Sequence, residues 1–286
     1  MKRIFLAAAC AWAFQGCSMK TIALRSTAGL MEGGLPAFLS ETDVKLARES
    51  MPAQLKMTDG FILSEAQNEK LLLLASQGYG GYAFLFLEDT EPERAKVFYQ
   101  RGQDYGLRLL GRNPEFRDLR NLTTEEIERK LKKAKKSEVP ALFWSGYNWA
   151  GRINISRDDM AALAELPKAV ALMKRVAELD SGFYFGGADL FFGSYYASRP
   201  RIMGGDPEKA KAHFDAAAKR TDGKFLMGHL LQAKYQAVAS LDRELFDGLI
   251  AKVLDGTPGS LPEAGLADAV AKEKAKALKE KADDMF

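Results

Sequence analysis

Helix-start signals recur along this sequence, and no strand pattern competes with them. Thr90-Glu91-Pro92-Glu93 and Thr123-Thr124-Glu125-Glu126 each set a threonine three residues ahead of a glutamate, the pattern of a capping box. Asp206-Pro207-Glu208 sets a capping Asp before a first-turn Pro and an acid. No alternation of period two persists, and no Asn-Gly or Asp-Gly pair is flanked by alternating residues. The pattern predicts helices over 43–49, 52–64, 67–87, 92–110, 124–136, 138–152, 158–179, 184–198, 207–220, 225–240, 242–254 and 263–283. Connections are short. The expectation is an all-α, tetratricopeptide-like array of antiparallel helical hairpins in a single domain over 41–286, with an irregular helical bundle as the alternative.

Weak internal repetition supports the array. Pro92-Glu93-Arg94-Ala95-Lys96 resembles Pro207-Glu208-Lys209-Ala210-Lys211. Ala95, Tyr99 and Gly102, and again Ala210, Phe214 and Ala217, place small, aromatic and small residues at i, i+4 and i+7. Those positions share one helix face, and the small residues let a partner helix come close. Ala169, Met173 and Val176 fit more loosely, and Gly193 with Tyr196 has the spacing of a preceding first helix.

The N-terminus reads as a leader. Lys2 and Arg3 precede an apolar run from Ile4 to Phe14, too short to cross a bilayer but normal for a secretory signal. Phe14-Gln15-Gly16-Cys17 resembles a bacterial lipobox, although Phe14 and Gln15 are unusual in it. Residues 1–16 would then be removed and Cys17 acylated, with 17–40 as a tether containing Gly29, Gly33, Gly34 and Pro36. Ser18 fits sorting to the outer membrane, facing the periplasm, rather than retention at the inner membrane. A plain cleaved signal with Cys17 as a bystander is the alternative. Cleavage lowers the formal charge from +3 to +1 and removes Cys10, so no disulfide, thiol chemistry or Cys-based metal site is expected within the mature chain. With two histidines in all, no metal or cofactor is expected either.

Aromatic residues cluster. Phe183, Tyr184, Phe185, Phe191, Phe192, Tyr195 and Tyr196 form one group; Phe143, Trp144, Tyr147 and Trp149 a second; Tyr79, Tyr82, Phe84 and Phe86 a third. They serve either as packing between hairpins or as the wall of a groove or channel, because a helix with aromatics on several faces cannot bury all of them against one neighbour. Tyr82, Trp144, Tyr147, Tyr184, Phe192 and Tyr196 are the candidate ligand contacts. Asn148, Arg152 and Asn154 are candidates to orient a carboxylate. His213 and His229 are expected to be structural. The basic runs 129–136 and 272–281 are expected to be solvated faces, or contacts to anionic lipid or an acidic partner.

Several segments resemble a known family. They are Ala47-Arg48-Glu49-Ser50-Met51-Pro52 with Leu55-Lys56, Leu71 to Tyr82, Arg101-Gly102, Phe143-Trp144 with Trp149-Ala150-Gly151, Leu179-Asp180 and Tyr184-Phe185-Gly186. The most specific is Pro200 with Gly204-Gly205-Asp206-Pro207-Glu208-Lys209-Ala210-Lys211 and Phe214. Over about 45–255 the sequence resembles the T-component family of tripartite ATP-independent periplasmic (TRAP) transporters. The tether and the Lys-rich tail carry no part of that likeness. The resemblance implies a tetratricopeptide-like periplasmic lipoprotein that docks the system's solute receptor, forms a homo-oligomer such as a trimer, and passes a hydrophobic or carboxylate ligand through a channel, without chemistry of its own.

Two other classes remain. One is a scaffold lipoprotein for outer-membrane or envelope assembly. The other is a lipid or peptidoglycan hydrolase using acidic pairs such as Asp158/Asp159 or Glu125/Glu126. Both pairs fall at helix starts, where carboxylates favour the helix dipole, so an enzyme is not expected.

Overall fold

The computed structural model describes residues 19–156 and 158–286; Cys17 and the leader lie outside them. Among the described residues there are thirteen α-helices and no strand. They are α1 (Met19–Leu39), α2 (Val44–Ser64), α3 (Glu69–Tyr82), α4 (Pro92–Leu110), α5 (Thr124–Leu131), α6 (Val139–Asn154), α7 (Met160–Ala164), α8 (Leu166–Leu179), α9 (Phe183–Ala197), α10 (Pro207–Arg220), α11 (Leu226–Gln232), α12 (Arg243–Asp255) and α13 (Gly265–Glu280). The all-α expectation holds.

Packing runs from neighbour to neighbour. α2 lies on α3, α3 on α4, α4 on α6, α6 on α8, and α9 on α10. α11 packs on α12 and α13, and α13 returns to touch α1 and α2. The first and last of the described helices therefore meet. A Cβ on Gly265, at the start of α13, would stand 2.6 Å from the Ser40 carbonyl oxygen, so only glycine fits there. One set of buried apolar side chains spans both ends, from Ala28 and Val44 to Val270 and Ala275. A second fills the middle, from Leu110 through Trp149 to Val176. Each large side chain buried this way contributes about 1.5–3 kcal/mol.

The small-aromatic-small faces are buried as the spacing predicts. Ala95, Tyr99 and Gly102 are buried, as are Ala210, Phe214 and Ala217, and Ala169, Met173 and Val176. Glycines let the helices close up. A Cβ on Gly151 of α6 would lie 2.5 Å from the Tyr99 ring, and one on Gly193 of α9 would lie 2.9 Å from Phe214.

Several boundaries differ from the sequence expectation. Residues 19–39, expected as a tether, form α1 with Pro36 inside it. Ala28 is fully buried, and Arg25–Glu65 and Lys70–Glu32 pairs tie the helix to its neighbours. The helices expected at 43–49 and 52–64 are one, despite Pro52, because Ala47, Met51, Leu55 and Ile62 keep a single buried face. The span 158–179 is two helices, broken at Glu165. The expected helix 124–136 ends at Leu131. Thr123 and Glu126 form the full capping box, and Asp206 caps α10 through the Lys209 amide at 3.1 Å. Thr90 does not cap α4; its hydroxyl turns back to the Phe86 carbonyl.

Candidate functional site

Two stretches of π-helix interrupt the fold. Ala83–Leu87 extends α3, and Ala233–Ala237 extends α11. A π-turn admits one extra residue per turn and is common at functional sites. Glu88 and Asp89, which follow the first, and Lys234 and Tyr235 of the second meet at a cleft of about 360 Å³ lined also by Asn154, Ile155, Ser198, Val238 and Ala239. Lys234 Nζ stands 3.3 Å from Asp89 Oδ1, and Lys274 of α13 pairs with Asp89 Oδ2. One aspartate thus joins three parts of the chain.

Electrostatics separate the two acids. Burial opposes the charge of Asp89, but Lys234 and Lys274 outweigh it and hold the carboxyl below its usual range. Burial pushes the Glu88 carboxyl up, and Lys234 and Lys274 do not offset it. Burial would lower Lys234, but Tyr235, Asp89 and Glu88 outweigh it and hold the ammonium charged. Glu88 keeps some accessible surface although protein surrounds it on nearly every side. That surface opens on the cleft. The Tyr99 hydroxyl hydrogen-bonds Glu88, and Tyr99 in turn partners Tyr147.

From Tyr147 an aromatic wall continues across four helices. Its ring centroid is 6.0 Å from Phe84, 5.2 Å from Trp144 and 5.9 Å from Phe143. Trp144 meets Tyr184 at 4.9 Å, Tyr184 meets Phe185 at 5.3 Å, and Phe185 stacks on Phe225 at 4.6 Å. Lys274 lies over the Phe84 ring at 5.6 Å, which joins the wall to the charged cleft. Tyr147 and Tyr184 each keep part of their surface accessible. Burial pushes the Tyr184 phenol up to about 12 and Tyr147 well above its ordinary value.

The backbone beneath the wall is strained. Tyr184, Phe185 and Gly186 take φ of 48°, 59° and 74° within what is otherwise α9. Left-handed conformation costs an aromatic residue roughly 1–2 kcal/mol. Two in succession persist only where the surroundings over-determine them. Here the rings of Trp144 and Phe225 do so.

The predicted contacts divide. Trp144, Tyr147 and Tyr184 come together on the wall. Tyr82 does not reach it; the ring packs on Phe86 and Phe98, and its hydroxyl donates to the Arg48 carbonyl at 3.3 Å. Asn148 is fully buried and donates to the carbonyls of Ser76 and Trp144 at 3.0 and 2.7 Å, pinning α6 to α3. Arg152 is engaged by Glu165, which also accepts from the Trp149 indole at 2.8 Å. Phe192 and Tyr196 stack on His213, in a separate group with Phe191 and Tyr195.

Other expectations resolve as follows. His213 Nδ1 lies 2.9 Å from Asp189, which also accepts from Arg220 at 3.0 Å. His229 Nε2 meets the Gly223 carbonyl at 2.8 Å, and burial lowers its basicity. Asp159 caps α7, and Glu126 belongs to its capping box. The Lys-rich tail is more than a solvated face: Lys272 donates to the Gly256 carbonyl at 2.8 Å, and Lys274 reaches Asp89. Glu88, Asp89, Lys234 and Tyr235 escaped sequence reasoning, and Lys274 was read only as part of the basic run 272–281. Their two signals were an acidic pair after the third aromatic cluster, and a lysine beside a tyrosine at the end of another apolar helix.

A protein of Treponema pallidum (strain Nichols), described only as uncharacterized, is 25% identical over 301 residues, covering 95% of this chain and 93% of the relative. A family model described as TRAP transporter T-component matches residues 40–286, which includes the C-terminal helix that the resemblance in sequence had left out. Spanning the helices that build both the cleft and the wall, that match shows that the chain belongs to the TRAP transporter T-component family.

Proposed function

We propose that this accessory subunit of a TRAP transport system is a periplasm-facing lipoprotein, anchored in the outer membrane through Cys17. It docks the system's solute receptor and passes that receptor a hydrophobic or carboxylate ligand. The observation that carries the ligand reading is the partial accessibility that Tyr147 and Tyr184 keep within a continuous run of ring contacts. Aromatic side chains that served only as packing would give up that surface to their neighbours. The rings adjoin one another without a break from Phe84 to Phe225. Tyrosine and tryptophan suit amphipathic molecules, since each joins an apolar body to one polar contact. Membership of the family supports association with other components of the transport system. Among the described residues no helix is long and apolar enough to cross a membrane, which fits attachment by lipid.

The test has two arms. Crosslinking in periplasm with the receptor expressed is expected to capture receptor with this chain; absence of capture overturns the docking role. Native mass spectrometry of the delipidated chain is expected to show retained small molecules and a homo-oligomer, a trimer by the family resemblance. Tyr147→Ala should lose the small molecules while melting cooperatively. Retention unchanged by Tyr147→Ala would remove the wall from the ligand path.

A further inference from the structure

We propose that the end of the molecule where α1 begins lies against a phospholipid surface, with the basic turn after α5 contacting anionic head groups. The orientation rests on the reading of Cys17 as the anchor; the charged surface stands without it.

Charge marks the surface. Arg129, Lys130, Lys132, Lys133, Lys135 and Lys136 put six basic residues into eight with no acid among them, in a chain whose formal total is +3. All but Lys130 are exposed. Glu125 and Glu128, the exposed acids of α5, precede the run, so positive charge peaks at the turn. Lys133 pairs with Glu115 at 2.8 Å, Lys136 with Asp180 at 3.1 Å, and Lys130 donates to the Glu115 carbonyl at 2.8 Å. Arg129, Lys132 and Lys135 make no ion pair among the described residues. The backbone of the turn is nevertheless held. Arg175 of α8 donates to the carbonyls of Lys132 and Ala134 at 3.3 and 2.7 Å, and Ala134 is buried. The fold fixes the turn and leaves its charges facing outward.

Contacts place the start of α1 at the same end. Arg25 of α1 pairs with Glu65, just past the end of α2, at 2.9 Å. The next carbonyl, of Ala66, accepts from Arg108 near the end of α4, and Arg112 pairs with Glu69 at the start of α3. Asn113 donates to Glu138 at 2.8 Å, and Glu115 holds Lys133. The start of α1, the end of α2, the start of α3, the end of α4 and the basic turn therefore share one end. Met19 lies six residues before Arg25, about 9 Å of helix, and one residue separates it from Cys17. The other end of α1 is about 30 Å away. An acyl group on Cys17 thus brings the basic end, not the opposite one, to the bilayer.

That continuity decides for lipid over an acidic protein. The anchor keeps this end beside the bilayer, so contact with head groups needs no second encounter. Leu63, on the last turn of α2, is 87% exposed at the same end and gains burial at head-group depth.

The test uses the mature chain carrying Cys17→Ser, so that no acyl group contributes. It is sedimented with vesicles of phosphatidylcholine, alone or with about 30% phosphatidylglycerol. Binding is expected only to the anionic vesicles and should fall as salt rises from about 0.05 to about 0.3 M. Arg129→Gln, Lys132→Gln and Lys135→Gln together should weaken it about a hundredfold, since each basic side chain near such a surface contributes roughly fivefold. Lys45→Gln, Arg94→Gln and Lys96→Gln remove the same charge from the opposite ends of α2 and α4, and together should weaken it by less than about threefold. Equal losses in the two triples, or equal binding to both kinds of vesicle, overturn the basic face. Absence of binding to anionic vesicles overturns lipid contact, and loss of receptor capture in the first triple would then assign the turn to an acidic protein. The anchor is read separately, by whether the unaltered chain stays with cell membranes in high salt and Cys17→Ser does not. Its failure leaves the vesicle result standing, and failure of the vesicle result leaves the anchor standing.

Discussion

α4 and α10 open on the same Pro-Glu-basic-Ala-Lys run and stay regular to their ends; each packs against one helix that does not. α3 passes into π-helix at Ala83–Leu87, and α9 carries the left-handed turn at Tyr184–Gly186. The difference lies in how apolar residues are spaced. In α4 and α10 they occupy one face at i, i+4 and i+7, so a single neighbour satisfies them with ideal backbone. In α3, α9 and α11 apolar residues occur on several faces. Each extra residue of a π-turn rotates the remainder of the helix by about 100°, and a left-handed turn redirects it further. Regular helices build the frame, and interrupted ones shape the interior.

The largest expected effect contrasts one aromatic from each class. Phe214 of α10 is 2% exposed and sits against Gly193. Phe214→Ala should cost about 3–5 kcal/mol in urea melts, because a ring-sized cavity cannot collapse between closely packed helices. Tyr184→Gly removes a ring of similar size but also relieves a left-handed residue, worth about 1 kcal/mol or more. Its net cost should be less than half that of Phe214→Ala. Equal costs would make the wall ordinary core and erase the distinction between the two classes.

The same distinction explains what could be read from sequence. Regular elements were legible because their signals are local. Asp206, Pro207 and the Ala210–Phe214–Ala217 face specify α10 within a dozen residues, and the structure reproduces each feature. The site was legible only where one type of side chain defines it. Trp144, Tyr147 and Tyr184 announce a wall by composition. Glu88, Asp89, Lys234 and Lys274 are spread over most of the chain, and nothing local marks them as partners. Glu88 and Asp89 follow one π-turn and Lys234 lies in the other, and such turns arise from tertiary packing, which no helical period records. Asn148 and Arg152 look like ligand groups in sequence for the same reason: Ser76 and Glu165, which occupy them, are distant or on another helix.

A second contrast concerns how helices are capped. α5, α10 and α12 carry their own caps in Thr123, Asp206 and Asp242. α11 has none and borrows Asp268 of α13, whose Oδ1 accepts from the Leu226 amide at 2.8 Å. Burial pushes this carboxyl up to about 6, against the lowering effect of the Leu226, Gly259 and Met227 amides. The folded value lies above the unfolded one, so the folded state holds the proton longer. The contribution of this group is most favourable below about pH 4 and is lost as pH rises through about 6, a swing of roughly 3 kcal/mol. Asp89 and Asp189 are held low and run the opposite way, so the whole-protein profile mixes signs. The readout is therefore the stability of the unaltered chain minus that of Asp268→Asn. That difference should decline between about pH 4 and pH 6, and a flat difference would show that the borrowed cap titrates like an exposed acid.

Glycine substitutions should give opposite signs in the two kinds of backbone. Gly186 has φ +74°, and a Cβ there would stand 3.1 Å from the Arg220 Cδ and 3.4 Å from the Ala217 Cα. Gly186→Ala should destabilise by about 1–2 kcal/mol. Gly81 lies in the regular part of α3, and a Cβ there would meet nothing within 4 Å. Gly81→Ala should stabilise by about 0.5–1 kcal/mol. Thermal melts of the pair test the comparison directly, and a stabilising Gly186→Ala would mean that the left-handed turn is not required.

The smallest effect connects Pro52 and Tyr82, and it accounts for a tyrosine that sequence placed at the ligand. Proline has no amide hydrogen, so Pro52 leaves the Arg48 carbonyl, four residues earlier in α2, without its helical donor. The Tyr82 hydroxyl of α3 supplies one at 3.3 Å. A weakness in one helix is thus satisfied by its neighbour, which fixes how the two pack. Tyr82→Phe should cost about 1 kcal/mol in the unaltered chain, the net value of one hydrogen bond. Pro52→Ala restores a backbone amide that can bond the Arg48 carbonyl, and in that background the same Tyr82→Phe change should cost less. A double-mutant cycle should therefore give a coupling of about 0.5–1 kcal/mol. No coupling would return the Tyr82 hydroxyl to the groups free to meet a ligand, whereas the expected coupling assigns it to the frame.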